Sequence, residues 1–149
     1  MNKLPRLIGW GLGGIAALVV LLTIGAILLE TNPPVKQEPN WDSPQTKALA
    51  QRACYDCHSN ETQWLWYTKL PVGSWLAVFD TMRARRVFNL SEMGNVPIKG
   101  DNGSGVSDVV NVINDGSMPP NIYTVMHPDA ILNVQEKQQL IQGFQKSFQ

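Results

Sequence analysis

The strongest constraint on this chain is an apolar run at residues 7–29, LIGWGLGGIAALVVLLTIGAILL, which contains no charged side chain. As an α-helix this run is about 34 Å long, and the hydrocarbon core of a bilayer is about 30 Å thick. In lipid every backbone polar group needs an internal partner, so a single run of this length crosses only as a helix. The sequence therefore predicts a transmembrane anchor over residues 7–29.

The flanking charges predict the orientation of this anchor. Lys3 and Arg6 precede the run, and Glu30 follows it. By the positive-inside rule, residues 1–6 stay in the cytoplasm and the chain from residue 30 lies on the far side of the membrane. A cleaved signal peptide is the alternative, but its apolar region is normally shorter and ends at a small-residue cleavage site. A retained anchor is favoured, and both interpretations export the remaining chain.

Composition divides the exported part in two. Residues 30–43 contain Pro33, Pro34 and Pro39 with few apolar side chains, which predicts an extended linker. Residues 44–149 then form the functional domain. The formal net charge of the chain is zero, and no basic stripe is present. The composition therefore gives no indication of nucleic-acid binding.

The domain is predicted to be all-α, because no segment alternates as a strand does. Ser43 and Pro44 begin a helix over 44–53, and Pro71 begins a second over about 72–87. The second helix has an apolar face for which core packing is the default. That face consists of Trp75, Val78, Phe79 and Met82.

Two further helices are predicted. One starts at 102–105 and stops at Gly116, and its apolar stripe consists of Val106, Val109, Val110 and Ile113. The last helix starts at Asn133 with Glu136 in a capping box, and its buried face consists of Leu140, Ile141, Phe144 and Phe148.

Only two cysteines are present, and both lie in Cys54-Tyr55-Asp56-Cys57-His58. A redox-active C-x-x-C pair normally begins a helix in a βαβ setting, whereas this pair follows a helix. A structural zinc ion needs four ligands, and His127 could complete the set, but adjacent Cys57 and His58 fit one tetrahedral ion poorly. Both alternatives remain open at this point, and neither is favoured.

The favoured interpretation is a single covalently bound haem c, because C-x-x-C-H is the attachment signature of c-type haem. Two thiols three positions apart on one helical turn can each add to one of the two vinyl groups of the porphyrin. The next residue, His58, then lies under the iron as its proximal ligand. Attachment takes place outside the cytoplasm, where the anchor places this domain.

The second iron ligand has several candidates among the five methionines and the second histidine. Met118 is favoured because it follows a predicted helix end and precedes Pro119 and Pro120, which stiffen the loop. A thioether ligand favours ferrous iron. His127 is the alternative, although Pro128 follows it and predicts a position at a loop surface. Met126, Met82 and an open iron site complete the possibilities.

Aromatic and basic side chains near the motif could complete a haem pocket. Trp64, Trp66, Tyr67 and Trp75 follow the attachment site closely. Ordinary core packing is an equally good explanation for each of them. Arg83, Arg85 and Arg86 follow on the second helix, where an arginine could bind a haem propionate or simply form a solvated face.

Two segments carry a resemblance to a known family. Residues 54–75 have the sequence CYDCHSNETQWLWYTKLPVGSW, and residues 118–132 have MPPNIYTVMHPDAIL. Together they resemble the haem-binding domain family of small membrane-anchored bacterial c-type cytochromes, with its C-x-x-C-H-S-N, W-x-W-Y and M-P-P-x-x-Y…H-P motifs. Leu65, Gly73 and the segment 84–91 depart from the family pattern. The resemblance implies covalent haem on Cys54 and Cys57, iron ligation by His58, and by analogy with cytochromes c ligation by Met118.

These observations predict a small cytochrome c-like domain that is tethered to the bacterial cytoplasmic membrane and faces the periplasm. Its expected function is to carry single electrons between redox proteins, within a respiratory or photosynthetic membrane complex. No catalytic residue and no small-molecule substrate are expected. A haem sensor or peroxidase-like enzyme with an open iron site is the alternative, and a subunit whose haem only fills the core is a third hypothesis.

Overall fold

A computed structural model describes residues 4–93 and 105–148 of the chain. Within these ranges the regular structure is helical, with a single isolated bridge between Gln37 and Glu92, which confirms the all-α prediction. The α-helices are α1 (Leu4–Leu28), α2 (Pro44–Ala53), α3 (Tyr55–His58), α4 (Pro71–Val87), α5 (Val106–Asn114), α6 (Asn121–Met126) and α7 (Val134–Ser147). Two 3₁₀ turns lie at Trp66–Lys69 and Pro128–Ala130.

The chain forms two compact units. The first contains α1 and residues 63–80, and the second contains residues 32–62 and the chain from residue 81 onward. Helix α4 runs through the boundary between them. The residues of the attachment motif therefore belong to the second unit.

Helix α1 dominates the first unit. Its segment Ile8–Leu28 is long and apolar enough to cross a membrane. Most of its side chains are exposed, but Thr23 and Ala26 near its C-terminal end are buried. The 3₁₀ turn at Trp66–Lys69 contacts α1. The last turns of α1 thus have a protein neighbour on one side.

The second unit is built around α7, which packs against α2 and α5. The predicted stripes of α5 and α7 face this core: Val106 and Ile113 are buried, as are Leu140 and Phe144. Their core neighbours from other elements include Leu49, Ala53, Tyr55, Phe88, Leu90 and Leu132. Burial of these apolar surfaces supplies the main driving force for folding of this unit.

Local capping signals explain where the helices of the second unit begin and end. Ser43 Oγ accepts a hydrogen bond from Thr46 N at 3.1 Å, and α2 begins at Pro44 as predicted. Asn133 and Glu136 exchange side-chain to backbone hydrogen bonds of 2.9 Å at the start of α7. Gly116 follows α5 with a φ of +77°, a conformation that favours glycine. The predicted start of α5 at 102–104 lies outside the described residues.

The segment 30–43 precedes α2 and contains no helix, and from residue 32 it belongs to the second unit. Lys36 N donates to Ser91 O at 2.9 Å, and Met93 N donates to Gln37 O at 2.9 Å. Asn60 Nδ2 donates to Pro34 O at 3.0 Å. The backbone before α2 is therefore held against the segment after α4.

The apolar stripe of α4 is mostly exposed, although it was expected to be buried. Trp75, Phe79 and Met82 on α4 are exposed, whereas Val78 is buried. Ser74 lies one turn before Val78 on the buried side of the helix. The prediction that this stripe packs in the core is therefore wrong. An apolar period of 3.6 residues identifies one face of a helix, but it does not identify what that face contacts.

Gly143 provides a test of the α2–α7 contact. A Cβ atom at this position would collide with the side chain of Thr46, which is itself buried. Replacing Gly143 with alanine should lower the free energy of unfolding by about 1–3 kcal/mol, because overpacking outweighs the better helix propensity of alanine. Denaturation of the detergent-solubilised protein, followed by circular dichroism, measures this change.

Gln142→Ala is the matched control, because this neighbouring side chain on α7 is exposed. Its unfolding free energy should stay close to that of the wild type. A Gly143→Ala variant that is as stable as the Gln142→Ala variant would contradict the close helix contact.

Candidate haem site

The attachment motif occupies a single helical turn. Helix α2 ends where Cys54 N donates to Ala50 O at 2.8 Å. The chain then turns again through α3, in which Cys57 N and His58 N both donate to Cys54 O, at 3.3 and 2.8 Å. Cys54 and Cys57 are free thiols, and both are partly exposed. The two sulfurs and the imidazole are thus presented by one short turn.

The electrostatics of the thiols do not suit a redox-active pair. Burial, with a smaller contribution from the neighbouring Cys57, raises the pKa of the Cys54 thiol to about 12. Redox-active C-x-x-C pairs depend on the opposite effect, a lowered pKa that stabilises the thiolate. The raised pKa of Cys54 favours its protonated thiol and so argues against the thioredoxin-like alternative.

His58 has a defined tautomer. Its Nδ1 lies 2.9 Å from Phe88 O. A carbonyl oxygen can only accept, so Nδ1 carries the proton and Nε2 keeps its lone pair. Burial also lowers the pKa of His58, which favours the neutral ring. This is the state that a metal-binding histidine requires, with the second ring nitrogen oriented by a backbone carbonyl.

Two chain segments are paired to hold this ring, residues 58–62 after the motif and residues 88–92 after α4. Leu90 N donates to His58 O at 2.7 Å, and Asn60 N donates to Ser91 Oγ at 2.9 Å. We call them the paired segments. Moving either segment would break these hydrogen bonds and leave buried polar groups without partners, which is costly in free energy. The pairing therefore fixes the two backbones relative to each other.

Asn89 completes the paired segments with its side chain. Its Nδ2 donates to Asn60 Oδ1 at 3.0 Å, and its Oδ1 accepts from Ser91 N at 3.0 Å. Sequence analysis did not assign roles to Asn60, Asn89 or Ser91, nor to the carbonyl of Phe88. The C-H-S-N motif of the family resemblance was a signal for Asn60 alone, because residues 88–91 depart from the family pattern.

Arg85 braces the loop after the motif. Its Nε donates to Ser59 O at 2.7 Å, and its Nη2 donates to Thr62 Oγ1 at 2.9 Å and to Asn32 Oδ1 at 3.0 Å. These contacts assign Arg85 a role in supporting the attachment site from the protein side. Binding of a haem propionate by Arg85 stays a prediction.

The structure provides no arrangement for a zinc ion in residues 4–93 and 105–148. Among these residues no three side chains of His, Cys, Asp or Glu converge on a common point. A structural zinc site needs four such ligands in a tetrahedron. Within the described residues, Cys54, Cys57 and His58 therefore lack the further ligand that a structural zinc ion needs, and covalent attachment of haem to them stays a prediction.

Met118 lies in the second unit, on the loop between α5 and α6. Its backbone N donates to Val112 O at 3.0 Å, and its side chain is exposed. The thioether is therefore presented by a held backbone and is not buried in the core. Its ligation of iron stays a prediction.

His127 is buried, so the expected position at a loop surface was wrong. Its ring stacks on that of Tyr123, with centroids 4.0 Å apart, and its Nδ1 lies 3.9 Å from Asp56 Oδ2. Tyr123 Oη donates to the same Asp56 oxygen at 2.9 Å. Asp56 belongs to the attachment motif, so these contacts join α6 to the turn that bears the cysteines. His127 as an iron ligand stays the alternative prediction.

The four aromatic pocket candidates lie in the first unit, whereas the cysteines and His58 lie in the second. Trp64 and Tyr67 are half-buried, and Trp66 and Trp75 are exposed. Trp66 and Tyr67 contact each other edge to face, with ring centroids 6.1 Å apart. Their contribution to a haem pocket stays a prediction.

In this all-α fold, two thiols and an imidazole with an available ring nitrogen lie on one turn, an arrangement that suits the binding of haem. The model of a family described as haem-binding domain matches residues 19–146, which is most of the chain. The chain therefore belongs to the haem-binding domain family, and haem is its cofactor. No curated protein and no solved structure matches the chain.

Asn89→Ala tests the paired segments. The substitution removes two hydrogen bonds and leaves Asn60 Oδ1 and Ser91 N without this partner. We expect the free energy of unfolding of the haem-loaded protein to fall by about 1–3 kcal/mol. Denaturation monitored by circular dichroism and by the haem absorbance measures it. Asn111→Ala, on the exposed side of α5, is the control. Equal stability of the two variants would contradict this role of Asn89.

Proposed function

We propose that this chain is a membrane-anchored monohaem c-type cytochrome that carries single electrons between redox partners. The observation that carries the proposal is the hydrogen bond between His58 Nδ1 and Phe88 O, beside two free thiols on the same turn. It leaves Nε2 as an iron ligand in a domain of the haem-binding family. When bound, the haem supplies an iron that alternates between the ferric and ferrous states.

The residues of the chain would then have separate tasks. Cys54 and Cys57 form thioethers with the two vinyl groups of one haem. His58 binds the iron through Nε2, in the orientation that the paired segments impose. Met118 is the proposed ligand on the other side, because a neutral thioether stabilises ferrous iron and raises the reduction potential. None of these tasks requires a general acid, a general base or a nucleophile, so we propose a carrier and not an enzyme.

The proposed location follows from the first helix. Ile8–Leu28 is long and apolar enough to span a bilayer, and Lys3 and Arg6 precede it. The positive-inside rule then assigns the haem domain to the periplasmic side of the cytoplasmic membrane. A tethered carrier in this position exchanges electrons with other redox proteins, and a respiratory or photosynthetic membrane complex suits it best.

Covalent attachment predicts the behaviour of cysteine variants under denaturing conditions. Wild-type protein from a host with haem-ligation machinery should keep its colour after denaturation and gain the mass of one haem. The double variant Cys54→Ala/Cys57→Ala should lose both, because no thioether remains. Intact-mass spectrometry and haem staining of denaturing gels measure this. Met118→Ala is the control, because it should keep covalent haem; a colourless denatured wild type would contradict the proposal.

Iron ligation predicts a separate set of spectra. The oxidised wild-type protein should be low-spin and show a thioether-to-iron charge-transfer band. Met118→Ala should lose this band and have a lower midpoint potential. Met126→Ala is the matched control and should resemble the wild type. A high-spin wild type that binds carbon monoxide readily would instead support the sensor or peroxidase hypothesis, and loss of the low-spin state in His127→Ala would identify His127 as the ligand.

A further inference from the structure

The first turns of α4 present a stripe of apolar side chains outward. Val72 and Phe79 are 71% and 67% exposed, and Trp75 and Leu76 between them are exposed as well. These four residues follow the spacing i, i+3, i+4, i+7 that places side chains on one side of a helix. Ser74, in contrast, is fully buried, together with the apolar Val78. A helix that faces water normally exposes polar side chains in place of such an apolar stripe.

Exposed apolar side chains also occur in and directly after the preceding 3₁₀ turn. Trp66 is 69% exposed, and Leu70 is exposed directly after the turn. We call Trp66, Leu70, Val72, Trp75, Leu76 and Phe79 the outward apolar face. Lys69 is the one charged residue in the segment 63–79. Soluble proteins rarely expose apolar surface this continuously unless another phase or molecule covers it.

The position of this face within its compact unit indicates what covers it. Residues 63–80 form one unit with α1, and the 3₁₀ turn contacts α1. The Lys69 ammonium group pairs with the Glu30 carboxylate, directly beyond the apolar run. The buried positions Thr23 and Ala26 lie within the last two turns of α1. The turn is therefore held beside the end of the helix that is long enough to span a bilayer.

We propose that the outward apolar face inserts into the membrane interface and forms a second lipid contact beside the spanning helix. This proposal rests on the membrane anchoring of α1 in the proposed function. The last two turns of α1 cover about 10 Å along its axis, which is comparable to the depth at which interfacial helices bury their apolar sides. Tryptophan suits this zone because its ring is apolar and its N–H is polar.

Lipid explains this surface better than water does. If this face met water, the Val72, Trp75, Leu76 and Phe79 side chains would gain none of the free energy that burial of apolar surface provides. At an interface the same side chains are removed from water. Lys69 would keep its charge near the polar headgroups, where its pairing with Glu30 holds it.

Site-directed spin labelling of the full, haem-loaded chain tests the proposal in vesicles of phosphatidylcholine and phosphatidylglycerol. Labels are introduced separately through Phe79→Cys and Val72→Cys, after both native thiols have been consumed by haem. Collision with oxygen, which concentrates in lipid, is compared with collision with a water-soluble nickel chelate. We expect the oxygen-to-nickel ratio at positions 79 and 72 to be several times higher than at an aqueous reference.

Two further labels make the outcomes distinguishable. Leu18→Cys lies within α1 and reports the spanning helix, and Gln138→Cys lies exposed on α7 and is the aqueous reference. If position 18 meets oxygen while 79 and 72 meet nickel as freely as 138 does, the interfacial contact is refuted and the anchor stands. If 79 and 72 are shielded from both reagents, a protein partner or the haem covers this face, which also refutes the lipid contact. If position 18 meets nickel, both proposals fail.

Discussion

The hydrogen bond between His58 Nδ1 and the Phe88 carbonyl is the interaction on which the site depends. It defines which ring nitrogen can bind a metal, and it defines the plane of the ring. The acceptor is a backbone atom, so its position follows from the path of the chain and not from a rotamer. Leu90 N donates to His58 O in return, so the same two segments hold both the ring and the backbone of His58. The chain itself therefore orients the imidazole, and under the proposed function this orientation pre-organises the iron ligand.

Phe88 also connects this hydrogen bond to the hydrophobic core. Its ring lies 6.2 Å from that of His58 and 6.3 and 6.1 Å from those of Phe144 and Phe148. The Phe88 carbonyl therefore holds the imidazole of His58, while the side chain of Phe88 packs against α7. Polar contacts of Asn89 and Arg85 complete the support on the other side. The network gains strength from burial, because each of its members has a partner in a region of low dielectric constant.

The sequence predicted helix starts correctly where they depend on capping residues close by in the chain. Ser43 and Asn133 cap α2 and α7 as expected, because capping is decided within four residues. The carbonyl of Phe88 could not be predicted this way, since a backbone acceptor has no side-chain signature and lies 30 positions from His58. The outward face of α4 was missed for another reason. Periodicity identifies an apolar side but does not distinguish a protein core from lipid.

Contacts of the attachment turn extend to the loop that bears Met118. Asp56, between the two cysteines, accepts a hydrogen bond from Tyr123, five positions after Met118. On the other side of the loop, Met118 N is held by Val112 O. The backbone of the loop is therefore restrained at both ends, although the Met118 side chain is partly exposed. Under the proposed function, the placement of the thioether is then set by the same turn that binds the haem, because Asp56 and His58 belong to one helical turn. The two sides of the iron would be positioned together and not independently.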